Sequence, residues 1–209
     1  MLGIHDYWLF VATGILLNLT PGQDTFYIVG RSIAQGTRAG IASALGIAVG
    51  SFIHTGIAAV GLSALLATSA YAFTVVKLLG AAYLVYLGVR MLTAPSVAPG
   101  LARTTGTGSE LTAFRDGVVT NVLNPKVALF FLALMPQFID PGSDSKVLAF
   151  VVLGLTFVTT GTVWCLVLAV GAGKARHLFV RHESAMNLVS RAAGGAFVML
   201  GLRLAVSRQ

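Results

Sequence analysis

A polar run at residues 18–24 interrupts the first apolar stretch of the chain, which covers about residues 7–33. The run contains side-chain amides and a hydroxyl, and it ends in the carboxylate of Asp24. A carboxylate among apolar residues can bind a cationic group such as an ammonium, or it can exchange a proton. Its simpler role is to cap a half-helix that follows Pro21, since acidic residues are favourable in a first turn.

A second polar interruption lies in a later apolar stretch, about residues 113–138, where Asn124 precedes Pro125 and Lys126. An ammonium at this position can pair with the carboxylate of Asp24, or it can attract the carboxylate of a bound molecule. It can also extend toward an interface with water, as lysine side chains often do.

Both interruptions carry signals that start a helix. Thr20 reads as an N-cap, with Pro21 at the first helical position and Gln23 as the capping-box partner. Asn124 and Pro125 repeat the N-cap and the proline. A helix start presents unpaired N–H groups and a partial positive charge, which bind carboxylates or phosphates. We predict that two half-helices begin inside the apolar stretches and form one site; the alternative is two kinks stabilised by neighbouring helices.

The composition places these residues in a membrane. The chain has 209 residues, of which 56% are hydrophobic and 10% charged, and its mean hydropathy is +0.85. Soluble domains carry about 25% charged residues and disordered chains have low hydrophobicity, so both classes are excluded. The single cysteine, Cys165, forms no intramolecular disulfide, and the sequence offers no metal cluster or nucleotide-binding loop. We expect no cofactor, no metal and no enzymatic activity.

Six apolar stretches are each long enough to cross a bilayer at about 20 residues per span. The first residues lack the basic leader and cleavage site of a signal peptide, so we expect the first stretch to belong to the mature protein. We predict an all-α integral membrane protein with one transmembrane domain over residues 1–209. Its spans lie at about 7–33, 39–67, 71–92, 113–138, 147–172 and 186–206.

The basic residues are divided unequally between the two sides that six spans define. Nine lie on one side and four on the other. Because basic loops stay in the cytoplasm, we predict that both termini are periplasmic. The formal charge of +7 then follows from topology and from contact with anionic lipid headgroups, and it gives no reason to expect nucleic acid.

The two halves of the chain resemble each other. Residues 19–21 align with 123–125, and a pattern at 77–90 returns at 191–203. Three spans per half is an odd number, so the second half enters the membrane inverted, as in many secondary transporters. Chance similarity between apolar, glycine-rich helices is the alternative. The units are repeat 1, about residues 1–92, and repeat 2, about residues 113–209, joined by a flexible linker at about 93–112.

Other polar residues lie within the middle spans. His54 shares a helical face with Ser43 and Gly50, so we expect it to point into the bundle. It can relay protons or act as a hydrogen-bonded structural histidine. Thr156, Thr159 and Thr160 are spaced to share a face of the fifth stretch, where they can line a polar path or bond to neighbouring helices. The glycine spacing of the second stretch predicts close helix packing.

The motifs follow one another in a recognisable order: residues 18–24, the glycine-rich second stretch, residues 77–88, Asn124 to Lys126 with Phe130 and Phe131, and residues 136–138. Together they resemble the lysine exporter and homoserine/threonine resistance (LysE/RhtB) family over nearly the whole chain. Gln23 departs from the family pattern, which commonly has a second proline there. The resemblance implies a bacterial inner-membrane exporter of amino acids or related small metabolites, driven by the proton-motive force and dimeric.

We therefore predict secondary-active efflux by proton antiport, with Asp24 and His54 as the proton-coupling residues. The competing classes are a passive small-solute channel, whose flux would ignore a pH gradient, and a membrane scaffold subunit, which would carry no flux. The predicted substrate-binding residues are Asn18, Thr20, Pro21, Gly22, Gln23, Asp24, Phe26, Tyr27, Asn121, Asn124, Pro125, Lys126 and Phe130.

Overall fold

The computed structural model describes residues 2–62 and 109–174 continuously, and individual helical positions within 74–93 and 195–206. In these residues the chain is helical and forms no strand, apart from one isolated antiparallel bridge between Ile4 and Ile139. The helices are α1 (Tyr7–Leu19), α2 (Gln23–Gln35), α3 (Thr37–Ile57), α4 (Glu110–Val122), α5 (Pro125–Leu129) and α6 (Lys146–Lys174). A π-helical turn (Ala58–Leu62) extends α3, and α5 continues as a π-helical turn (Phe130–Leu134) and a 3-10 turn (Met135–Phe138).

Two continuous helices, Thr37–Leu62 and Lys146–Lys174, are long and apolar enough to cross a membrane. The pair formed by Glu110–Val122 and Pro125–Phe138 makes a third candidate, which is bent by 46°. The described residues thus form an all-α fold that is consistent with a membrane protein. The third and sixth predicted spans, the linker and the repeat pattern at 77–90 and 191–203 lie largely outside the described residues, so the six-span inverted repeat stays a prediction.

The first predicted break is present, but its proline ends a helix. Thr20, predicted as the N-cap of the next helix, is instead the C-cap of α1. Its backbone N–H and its hydroxyl both donate to the carbonyl of Leu16, at 3.1 and 2.7 Å. The residue before a proline is forced into an extended conformation, and the proline ring clashes with the preceding helical turn, so Pro21 stops α1. The prediction of Thr20 as an N-cap is therefore wrong.

The helix that follows the first break starts later than predicted. α2 begins at Gln23, with Gly22 as its N-cap and no side-chain hydrogen bond to its first turn. Gln23 is the first helical residue, so the predicted capping box is also wrong. The reason is that an N-cap must stand immediately before the helix, whereas Thr20 is separated from α2 by two residues.

The second predicted break forms as expected. Asn124 is the N-cap of α5, and its side-chain oxygen accepts the backbone N–H of Lys126 at 3.0 Å. Pro125 stands in the first turn, where its missing N–H costs nothing and its fixed φ suits a helix. The start of α5 is therefore satisfied by its own cap.

The two interrupted segments, α1 with α2 and α4 with α5, run side by side in opposite directions. At one end, the bridge described above joins the residues before α1 to those after the 3-10 turn. In the middle, the Nζ of Lys126 donates to the carbonyl of Thr20 at 2.9 Å. At the other end, Arg31 of α2 forms an ion pair of 2.5 Å with Asp116 of α4. The first and fourth predicted spans are thus antiparallel, and their breaks lie at the same level.

Two kinds of packing hold the helices around the breaks. A Cβ added at Gly46 of α3 would overlap the carbonyl oxygen of Phe114, so α3 and α4 cross at backbone contact, as the glycine spacing predicts. On the other side of the breaks, Phe130 stacks on Phe157 of α6 with ring centroids 4.4 Å apart, and Phe10 of α1 lies 5.7 Å from Phe130. The breaks therefore lie between the close contact of α3 with α4 and the aromatic cluster formed by Phe10, Phe130 and Phe157.

Candidate functional site

A small cavity lies beside the two breaks and is bounded by all six α-helices described above. Its volume is about 30 Å³. A single water needs about 10–15 Å³, so the cavity is too small for an amino acid and the observed conformation is closed. The lining residues are Leu17, Asn18, Asp24, Thr25, Ile47, Ala48, Ser51, Asn121, Lys126, Val127, Phe157, Val158, Gly161, Thr162, Trp164 and Cys165.

Asp24 contributes a carboxylate to this cavity from the first turn of α2. Its Oδ2 accepts a hydrogen bond of 2.9 Å from the Nδ2 of Asn121. Its Oδ1 is buried and has no hydrogen-bond partner among the residues that the structure describes. A buried carboxylate oxygen without a partner is costly until a donor or a cation reaches it. The carboxylate is therefore fixed in orientation and has one oxygen available to a further group.

Asn121 of α4 joins the carboxylate to α3. Its Oδ1 accepts a hydrogen bond of 3.2 Å from the hydroxyl of Ser51, and its backbone carbonyl lies 3.2 Å from the Nε2 of His54. A Cβ on Gly50 would lie 2.7 Å from that Oδ1, so the glycine allows the close approach. The His54 ring also stacks on Phe131 with centroids 5.6 Å apart. One asparagine thus connects the two predicted proton-coupling residues; the coupling role of His54 stays a prediction.

Lys126 extends from α5 to the C-terminal end of α1. Its Nζ donates to the carbonyl oxygens of Leu17 and Thr20, at 3.1 and 2.9 Å. Within the described part of the chain it forms no ion pair with Asp24, although both side chains line the cavity. A Cβ on Gly22 would lie 3.1 Å from the Nζ, so a glycine at the first break leaves room for the ammonium.

Helix α6 supplies much of the remaining wall and is bonded to α1. The Nδ2 of Asn18 donates to the Oγ1 of Thr160 at 3.5 Å, and the hydroxyl of Tyr7 lies 3.1 Å from the Oγ1 of Thr156. A Cβ on Gly161 would lie 3.1 Å from the Oδ1 of Asn18. Of the two alternatives for these threonines, the structure shows bonding between helices.

Four predicted binding residues, Asn18, Asp24, Asn121 and Lys126, line the cavity. The others surround it in this closed conformation: Gln23 and Pro125 are exposed, Phe130 is buried in the aromatic cluster, and the hydroxyl of Tyr27 donates to the carbonyl of Ala113 at 2.8 Å. Their contact with a substrate stays a prediction. The residues outside the cavity wall are Thr20, Pro21, Gly22, Gln23, Phe26, Tyr27, Asn124, Pro125 and Phe130.

Sequence reasoning missed several side chains of the wall. Ser51 lies three residues before His54 on the same helical face, so the helical spacing could have identified it. Thr162, Trp164 and Cys165 stand in an uninterrupted apolar helix, where no break or charge marks the face that meets the cavity. The indole N–H of Trp164 is buried and has no partner among the described residues.

An ion pair away from the cavity was also missed. Arg31 lies at the end of the first predicted span; its side chain is only 9% exposed and pairs with Asp116, which is 49% exposed. The guanidinium carbon lies 5.4 Å from the ring centroid of Tyr27. This contact joins α2 to α4 at the end of the interrupted segments that is distant from α1.

The helical fold and its buried charged site define a membrane protein built around a small polar cavity. Residues 15–208 match the family model of the LysE type translocators. The chain belongs to this family and is therefore a transporter rather than an enzyme.

Named relatives agree with this assignment. An uncharacterized membrane protein of Vibrio cholerae is 34% identical over 98% of both chains. A homoserine/homoserine lactone efflux protein of Salmonella typhimurium is 32% identical over 97% of this chain and 98% of its own length. A leucine efflux protein of Salmonella choleraesuis is 27% identical over 97% and 96%, respectively. No solved structure matches the chain.

Proposed function

We propose that this transporter exports amino acids or related small metabolites by secondary-active proton antiport. Relatives named for homoserine and leucine efflux support the substrate class. Leucine and homoserine share an α-ammonium and an α-carboxylate and differ in their side chains, so we propose that the site recognises the shared groups.

The observation that carries the proposal is the carboxylate of Asp24 in the cavity. One oxygen is fixed by Asn121, and the other is buried without a partner in the described residues. A substrate ammonium would supply the missing charge and hydrogen bond. A proton on the same carboxylate would remove the need for that cation. Because the two cannot occupy the carboxylate together, proton binding and substrate binding compete, and that competition is the basis of antiport.

The substrate carboxylate has positively polarised groups close by. Among the described residues, no side chain accepts the first-turn N–H groups of α2, and the ammonium of Lys126 lies against Gly22 at the start of that helix. The unpartnered indole N–H of Trp164 is a further donor in the wall. We assign the carboxylate of the substrate to this corner of the cavity.

The closed cavity supports alternating access, because a site of about 30 Å³ must open before a substrate enters and leaves. We further propose a bacterial inner-membrane location with both termini periplasmic, supported by the unequal distribution of basic residues. A homodimer stays an implication of the family resemblance.

The proposal is tested by counterflow of labelled leucine and homoserine in proteoliposomes, with and without an imposed pH gradient. We expect Asp24→Asn to reduce counterflow by about tenfold or more, because a hydrogen bond to a charged group contributes about 1.5–3 kcal/mol. The pH gradient should accelerate transport by the unmodified protein and have no effect on the variant. Asp144→Asn makes the same chemical change at an exposed loop position and should transport normally.

Three outcomes would contradict the proposal. Flux that ignores the pH gradient would favour a passive channel. The absence of flux from a correctly folded protein would favour a scaffold subunit. Full proton-coupled transport by Asp24→Asn would show that this carboxylate carries neither the substrate nor the proton.

A further inference from the structure

The ammonium of Lys126 is committed to backbone carbonyls. Its two hydrogen bonds go to Leu17 and Thr20, the last turn and the C-cap of α1. An aspartate lines the same cavity, and yet the described residues include no ion pair between Lys126 and Asp24. The lysine ammonium is therefore hydrogen-bonded to the end of the broken helix, and one oxygen of the carboxylate has no hydrogen-bond donor among the described residues.

The end of α1 needs a cation for a physical reason. The last carbonyls of a helix have no intrahelical donor and carry a partial negative charge. Pro21 has no N–H, so it cannot donate to the carbonyl of Leu17 as the next residue of a continuing helix would. In other transporters with broken helices, such carbonyls coordinate a sodium ion or another coupling cation.

We propose that Lys126 is a built-in cation that replaces a bound metal ion at the first break. Its ammonium stabilises the interrupted conformation of the first predicted span and so positions Asp24. Transport then needs no sodium or potassium. The inference deepens the proposed function, on which it rests for its transport readout, and has a binding readout that is independent of transport.

The test compares two variants that remove the charge and differ in the space they leave. Lys126→Ala removes the ammonium and most of the side chain, so a small cation can reach the two carbonyls. Lys126→Met removes the charge but retains a chain of similar length, which keeps that place filled. The probes are sodium, potassium and methylammonium as chloride salts, with choline chloride as the bulky reference cation.

The unmodified protein should show equal counterflow in all four salts. Both variants should lose about tenfold or more in choline, since two hydrogen bonds from a charged donor are removed. Sodium, potassium or methylammonium should restore at least part of the counterflow of Lys126→Ala and none of that of Lys126→Met. The same cations should raise the thermal unfolding midpoint of Lys126→Ala alone.

The inference fails if unmodified transport requires sodium or potassium, or if Lys126→Met transports normally. It also fails if none of the three small cations changes the midpoint of Lys126→Ala, including the case in which that variant does not fold in any salt. Should the unmodified protein carry no substrate, the proposed function is wrong, and the cation-dependent midpoint still decides whether the lysine replaces a bound cation.

Discussion

The helix breaks at Pro21 and Pro125 differ in how the backbone groups around each proline are bonded. At the first, Pro21 ends α1, and the next helix starts two residues later behind a glycine without a side-chain cap. At the second, Pro125 begins α5, and the side chain of Asn124 caps it. At the second break, the Asn124 side chain bonds the first-turn N–H of Lys126. The first depends on Lys126, which the second break supplies.

From this difference we infer a structural role for the second break and a binding role for the first. The capped start of α5 fixes the backbone from which the lysine reaches across to α1. The uncapped start of α2 carries Asp24, and no side chain in the described part of the protein accepts its first-turn N–H groups. Unsatisfied polar groups attract ligands, so we expect function to depend more strongly on the first break and folding stability on the second.

We expect the largest effect on transport when Pro21 is replaced, and only a small effect when Pro125 is replaced. Pro21→Ala restores an N–H that can donate to the carbonyl of Leu17, which would extend α1 and displace the lysine ammonium. We expect a loss of counterflow of about tenfold or more, comparable to the loss of a charged hydrogen bond. Pro125→Ala should remain within about twofold of the unmodified protein, because a first-turn N–H is unpaired in any helix.

The measurement is leucine or homoserine counterflow at equal amounts of inserted protein. A similar loss in both proline variants would remove the functional distinction between the breaks. A more severe loss in Pro125→Ala would reverse it.

A smaller effect is expected on stability at the second break. Asn124→Ala removes the acceptor for the N–H of Lys126 and should lower the free energy of unfolding by about 1 kcal/mol, as for other N-caps. Asn124→Ser retains a hydroxyl acceptor and should lose less. Thermal unfolding in detergent measures both variants. Equal stability of Asn124→Ala and the unmodified protein would show that the cap contributes nothing.

The smallest effect is expected at Thr20. Its hydroxyl donates to the carbonyl of Leu16, which also accepts a backbone N–H, so Thr20→Val leaves that carbonyl bonded. We expect a change within about 0.5 kcal/mol in the free energy of unfolding. A cost near that of Asn124→Ala would indicate that the threonine hydroxyl caps the start of α2, contrary to the observed geometry.

The membrane class and the positions of both breaks could be predicted from the sequence, which also drew attention to Asp24 and Lys126 as charged residues within apolar stretches. Composition and apolar length are properties of the chain, and a proline restricts its own backbone and that of its neighbour wherever it stands. Asn124 could be predicted as a cap for the same reason, because its bond to Lys126 spans only two residues.

The contacts that the two breaks make could not be predicted from the sequence. The bond from Asn121 to Asp24 and the bonds from Lys126 to α1 join residues about a hundred positions apart, and no local pattern encodes their distances. The same limit explains the wrong prediction for Thr20, because the local sequence does not show whether Pro21 ends the preceding helix or begins the next one. It also explains the contribution of α6 to the cavity, since the face of an evenly apolar helix that meets a site is chosen by packing against its neighbours.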